Sequence, residues 1–162
     1  MKDVLALCAE FPVMQVSAGT LLIEEGVPMG RIYVLKQGAF EVARNGVRVV
    51  TITEPGAFLG EMSALLGSAP TANVVATQDS AVHVVDDAAA AAHADPQLTY
   101  AIAQLLARRL QAVTSYLVDI KRQYAGTGTH LELMDQVLTK LMDLQPAGNV
   151  RAGSERGDVP GY

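Results

Sequence analysis

Between Phe11 and Val85, short runs of β-branched and aliphatic residues alternate with Gly, Pro and Asn. The runs VMQV, TLLIE, RIYVLK, AFEVAR, VRVVTIT, TANVVAT and SAVHVV read as strands of a few residues each. Gly19, Gly26, Gly38, Gly46 and Gly56 stand near the joints, where a left-handed backbone is often needed. Asn45-Gly46 predicts a tight hairpin. Many short strands at this spacing predict a sandwich or a rolled sheet. Ahead of them, residues 2–9 (KDVLALCA) predict a short helix with Val4, Leu5 and Cys8 on one face.

After Asp86-Asp87 the pattern changes period. AAAAAHAD is a strong helix former, and both acidic residues suit a helix start. Asp95-Pro96 breaks the chain and restarts it, with Pro in the first turn. A long helix follows over about 98–124. Its apolar stripe, Ile102, Leu106, Leu110, Val113, Leu117, Ile120 and Tyr124, advances in steps of 4, 4, 3, 4, 3 and 4. That is close to a heptad seam and predicts a helix that pairs with a second copy. Leu131, Met134, Leu138 and Leu141 predict a second helix over about 130–145, stopped by Pro146. The last 16 residues are small and polar, and predict a disordered tail.

Composition narrows the function classes. The chain has 162 residues, half of them hydrophobic, enough for one domain with a substantial core. Its net charge of −5 argues against a nucleic-acid or anionic-membrane footprint. The lone Cys8 rules out a disulfide framework within the chain and reads as a small buried hydrophobe. No signal peptide or membrane-length apolar run is visible, so a soluble cytoplasmic protein is expected. The histidines His83, His93 and His130 lack metal-ligand spacing. No nucleophile–base arrangement emerges from spacing, so no enzyme activity and no cofactor are expected.

Three segments in order carry a resemblance. AGTLLIEEGVPMGRIYVLKQGAFEV (18–42) has Gly26 and Gly38 at two characteristic positions. GAFLGEMSALL (56–66) contains a Gly-x-x-x-Gly-Glu start, and ANVVATQDSAVHVV (72–85) supplies two further strands. ARRLQAVTSYL (107–117) continues the long helix. Over residues 10–125 the chain resembles the cyclic nucleotide-binding domain, as in the catabolite activator protein family and the regulatory subunit of protein kinase A. The resemblance implies an α+β fold: an eight-stranded antiparallel, jelly-roll-like β-roll with flanking helices and a long C-terminal dimerisation helix. The expected parts are a roll over 1–97, the long helix over 98–125, a second helix over 126–146 and a tail over 147–162.

The resemblance also implies a site. Gly60, Glu61, Met62, Ser63, Pro70, Thr71 and Ala72 occupy the phosphate-binding cassette, and Thr114 and Ser115 lie where bacterial members contact the base. The chemistry can be argued from the residues. Gly60 lets backbone approach a ligand, a helix turn over 61–66 offers free N–H groups to an anion, Glu61 can accept from a ribose hydroxyl, and Thr71 can donate to phosphate. Glu61 as a cap of that turn and Thr71 in a turn of its own are the structural alternatives. The departure is Pro70, where most of the family carries Arg. No Lys or Arg stands between Arg48 and Arg108. The missing charge-assisted bond is worth about 1.5–3 kcal/mol. Arg31, Arg44, Arg48, Arg108 and Arg109 are the arginines that folding could bring in.

The expected function is a stand-alone sensor of cAMP or cGMP, dimeric through 98–124, that signals through its C-terminal helices to a protein partner. The competing expectation is a degenerate pocket on a protein-interaction module, or a site for a different nucleotide. Residues 129–148 resemble only the opening helix of the family's DNA-binding domain, so no DNA binding is expected.

Overall fold

A computed structural model describes residues 4–123 together with residues 136, 137 and 139. Most of the second helix expected at 126–146, and the whole tail expected at 147–162, lie outside the described residues. The described elements run α1 (Val4–Leu7), β1 (Val13–Val16), β2 (Leu21–Ile23), β3 (Ile32–Gln37), β4 (Phe40–Arg44), β5 (Val47–Ile52), β6 (Phe58–Leu59), α2 (Glu61–Leu66), β7 (Asn73–Ala76), β8 (Ser80–Val85), α3 (Ala88–Ala94) and α4 (Pro96–Gln123).

Eight antiparallel strands form two four-stranded sheets, ordered β1-β8-β3-β6 and β2-β7-β4-β5. This is the expected roll. Seven strands coincide with the apolar runs, and the eighth, β6, is only two residues long. The β4–β5 hairpin turns on Asn45 (φ 51°) and Gly46 (φ 74°). Two consecutive left-handed residues match the twist of the flanking strands, as Asn-Gly predicts.

The alternation of β3 explains how the protein is layered. Tyr33 and Leu35 point between the sheets and join Val16, Ile23, Phe40, Leu59, Val74, Ala76 and Val82 in the inner core. Ile32 and Val34 point the other way, into a second cluster with Cys8, Phe58, Val85, Ala88, Leu98 and Ile102. A strand covered on both faces reads as a continuous apolar run, which is how RIYVLK reads. The helices α3 and the first part of α4 therefore cover the outer face of one sheet. Cys8 is fully buried there. Burial first, and the Asp95 charge second, push its thiol up to about 11, so it stays protonated as an apolar filler.

The helix starts behave largely as expected. Asp87 caps α3, its carboxylate accepting from the Ala90 amide at 3.2 Å. Asp95 opens α4, with Oδ1 accepting from Gln97 N at 2.8 Å and Leu98 N at 3.3 Å. Asp86 differs from expectation. Its carboxylate pairs with Arg31 instead of serving the helix start.

Two compact units divide the chain, residues 1–107 and residues 108–162. In the second, α4 exposes Leu110, Val113 and Tyr116, at 48%, 49% and 65%. Leu117 and Ile120 are half-buried.

Candidate functional site

Strand β6 delivers the chain to Gly60, which holds φ 83°, ψ 5° and turns it into α2. A side chain there would be strained in the left-handed region. It would also collide, because a Cβ would lie 3.1 Å from Ile23 Cδ1 and 3.3 Å from the Arg31 carbonyl oxygen. The space beside Gly60 is thus filled by protein. Gly60 therefore has a packing reason: its bare Cα lets the start of α2 press against β2 and the loop before β3.

The turn is closed from within. Ser63 Oγ donates to the Gly60 carbonyl at 2.9 Å, and the Ala64 amide donates to the same oxygen at 3.2 Å. At the other end left-handed Gly67 caps α2, its amide donating to the Ser63 carbonyl. Gly60 itself supplies no side-chain cap, and Glu61 is buried with 3% of its surface exposed. Met62 faces outward at 53% exposure.

The segment after α2 is fastened to the loop between β2 and β3. Pro70 is buried, and its carbonyl accepts from Gly26 N at 2.8 Å. Asn73 Oδ1 accepts from Glu25 N at 2.7 Å, and Glu25 Oε2 accepts from Asn45 N at 3.1 Å. Thr71 is exposed and Ala72 half-buried. Thr114 and Ser115 lie on the part of α4 that belongs to the second compact unit.

A cleft of about 450 Å³ opens along β2 and that loop. Its walls are Leu21 to Glu24, Val27 to Arg31 and Tyr33. None of the nine expected site residues is among them. Gly60 lies directly behind the wall, against Ile23, Met29 and the Arg31 backbone. The cassette therefore backs the cleft, and the polar groups on the walls are Glu24, Arg31 and Tyr33.

Arg31 is the arginine that folding brings to the cleft. Its Nε donates to Asp86 Oδ1 at 2.5 Å, with both side chains more than half exposed. The hydrogen bond to Asp86 first, and the one to Tyr33 second, raise the guanidinium above its ordinary value. Sequence spacing could not have singled it out. Residues 31 and 86 meet because β3 pairs with β8 in the register Ile32↔Val85. Of the other candidates, Arg48 bonds Thr51 at 2.9 Å and approaches Glu41 at 3.5 Å, on the β4–β5 hairpin. Arg44 ends β4, and Arg108 and Arg109 belong to the second unit.

His83 is buried on β8, with Nδ1 3.2 Å from the Phe11 carbonyl oxygen. No group of His, Cys, Asp or Glu among the described residues has the makings of a metal site.

Residues 13–92 match the family model described as the cyclic nucleotide-binding domain. This segment belongs to that family. The Pycsar effector protein XpPycTIR of Xanthomonas perforans is 36% identical over 120 residues, covering 72% of this chain and 39% of that protein. The chain thus spans about two fifths of this relative's length. Among solved structures, the catabolite activator protein of Thermus thermophilus is 20% identical, with a TM-score of 0.58 over 88% of this chain and 82% of its own. A protein of a cyclic-GMP-dependent signalling pathway in bacterial phytopathogenesis is 21% identical, with a TM-score of 0.57 over 68% and 94%. These structures share the fold of the cyclic nucleotide-binding domain described above.

Proposed function

We propose that this cyclic nucleotide-binding domain is the sensing part of a regulatory protein. It takes a 3′,5′-cyclic nucleotide of the cAMP or cGMP class in the cleft and reports occupancy through α3 and α4 to a protein partner. It is a receptor, not an enzyme, and works without a cofactor. The observation that carries this is the packing of Gly60. Because the start of α2 bears directly on the cleft wall, a ligand that shifts the wall also shifts the cassette. The names of two relatives, an effector protein and a cyclic-GMP-dependent signalling pathway, support the sensor role. The proposed setting is cytoplasmic; among the described residues no helix is long and apolar enough to cross a membrane.

A thermal-shift panel of 3′,5′-cyclic nucleotides, their linear monophosphates and the plain nucleosides tests the proposal. A ligand at a hundred times its Kd stabilises the folded state by about 2.7 kcal/mol, so at least one cyclic nucleotide should raise Tm by several degrees. A panel without any shift would favour the interaction module. That alternative has its own observation: α2 exposes Met62, Leu65 and Leu66 at 53%, 41% and 73%.

Glu61 is the ribose contact expected from the sequence. It is buried behind the cleft wall, so it meets a ligand in the cleft only where the cassette opens onto it. Its burial also dictates the variant used to test it. Truncation to Ala would leave a cavity, whereas Glu61→Gln keeps the shape and removes the charge. Glu61→Gln should weaken cyclic nucleotide binding by about 1–3 kcal/mol. A 2′-deoxy analogue should lose a similar amount on wild type and little on the variant, the signature of one shared contact. Equal losses on both proteins would remove Glu61 from the sugar site.

The protein is proposed to dimerise through α4, because Leu110 and Val113 lie exposed on the 3/4-spaced stripe. Val113→Glu should give monomers by light scattering and a Tm that no longer depends on protein concentration. A wild-type protein that is already monomeric at assay concentration contradicts the proposal.

A further inference from the structure

The proposed function leaves the phosphate without its usual cation, since Pro70 stands where most of the family carries Arg. The cleft supplies another cation. Among the described residues, Arg31 is the one Lys or Arg on its walls. Its guanidinium also has more donors than its present contacts use. Nε is engaged by Asp86 and a second bond goes to Tyr33, while a guanidinium carries five N–H donors in a planar fork that fits phosphate oxygens.

The pair with Asp86 is easily exchanged. Both side chains are more than half exposed, at 57% and 65%, and exposed ion pairs contribute little stability. A phosphate offers the same fork a two-pronged contact, where Asp86 is bonded through Nε. Asp86 is therefore a competitor for Arg31 while the cleft is empty.

The pair also stands at the joint that leads to the helices. Asp86 opens the β8–α3 connection and is followed by Asp87, which caps α3 in a left-handed conformation (φ 45°). Next to Arg31, the Gly30 carbonyl accepts from the Ala88 amide at 2.9 Å, and Ala88 is the first residue of α3. Two adjacent cleft residues thus hold the entry to α3, Arg31 through Asp86 ahead of the helix and Gly30 through Ala88 in its first turn. Ala88 in turn is buried in the cluster that contains Leu98 and Ile102 of α4.

We propose that Arg31 is the phosphate-binding cation of this cleft and that bound phosphate displaces Asp86 from it, loosening the start of α3. The inference rests on the cyclic-nucleotide function proposed above. Phosphate occupancy replaces one tie between the cleft and α3, so the free and bound states differ at the helix that leads to α4. The two acidic neighbours behave differently. Glu24 stays on the cleft wall, whereas Asp86 gains freedom when the phosphate arrives.

Calorimetric titration of the full chain with a panel of 3′,5′-cyclic nucleotides tests this, using wild type, Arg31→Gln, Arg31→Lys and Asp86→Asn. The tightest ligand of wild type should bind Arg31→Gln about 10–100-fold more weakly, the loss expected for one charge-assisted contact. Arg31→Lys should recover part of it. Asp86→Asn should bind more tightly than wild type, because the competing charge is gone. Hydrogen exchange over residues 86–94 should rise when nucleotide binds wild type, and should already be raised in ligand-free Arg31→Gln. Both arginine variants keep the backbone bond from Ala88 to Gly30, so folding is checked by an unchanged circular dichroism spectrum. Arg31→Gln binding within about twofold of wild type overturns the assignment of Arg31 and leaves the nucleotide function standing. Unchanged or weakened binding by Asp86→Asn overturns the exchange. No binding by wild type to any cyclic nucleotide overturns the function and this inference together.

Discussion

Gly38→Ala should leave little folded protein. Gly38 sits in the turn between β3 and β4 at φ 108°, a conformation that costs an L side chain about 1–3 kcal/mol. The space is also taken. A Cβ would lie 2.1 Å from Ser80 Oγ and 2.6 Å from Ser80 Cα, so a hydroxyl rotation cannot clear it. The backbone of β8 cannot retreat either. Val16 of β1 pairs with Ser80 on one side, and Gln37 of β3 pairs with Ala81 on the other. Ser80 is itself committed: its Oγ accepts from Ala39 N at 3.1 Å and donates to the Gln78 carbonyl at 2.8 Å. Overpacking of this kind adds about 1–3 kcal/mol. The combined loss, about 2–6 kcal/mol, is a large part of the 5–15 kcal/mol that holds a typical domain. Urea unfolding followed by circular dichroism should show a much lower midpoint or no folded baseline. Gly38→Ala with Ser80→Gly should recover only part of the loss, since the Cα clash and the backbone strain remain. A single variant with the wild-type midpoint would mean that the turn relaxes freely.

Phe58→Ala should cost about 3–5 kcal/mol and uncouple the helices from the roll. Phe58 is 2% exposed and pairs with Val34 in the sheet. Its side chain lies in the cluster where Ala88 of α3 meets Leu98 and Ile102 of α4. Two residues later comes Gly60, so β6 links the helix-facing cluster to the start of the cassette. A cavity at Phe58 removes contacts on which α3 and α4 rest, and amide exchange should rise in both helices. Phe58→Leu should cost much less, because most of the volume is retained. A loss below about 1 kcal/mol for Phe58→Ala would show that the surrounding side chains collapse into the gap.

Local signals were legible in the sequence because their causes lie within a few residues. The Asn45-Gly46 hairpin follows from two adjacent residues that tolerate left-handed backbone. Asp87 and Asp95 cap helices by reaching amides two or three positions on. The family resemblance marked the Gly60-Glu61 turn and an eighth strand that periodicity alone could not find, since two residues are too few to alternate. Burial was less legible. The run VRVVTIT reads as a strand without saying where it lies, and β5 is an edge strand whose Val47 and Val49 are 67% and 63% exposed. Strand order settles that, and strand order depends on pairings far apart in the chain. The same holds for the cleft. Gly60 is glycine because Ile23 and the Arg31 backbone press against it, and Arg31 meets Asp86 because the β3–β8 register brings together residues 55 positions apart. Backbone propensity and capping act over one turn of chain, so sequence alone determined the elements. Contacts between elements depend on register and layer order, so only the tertiary structure decided which cation reaches the cleft and which acid holds it.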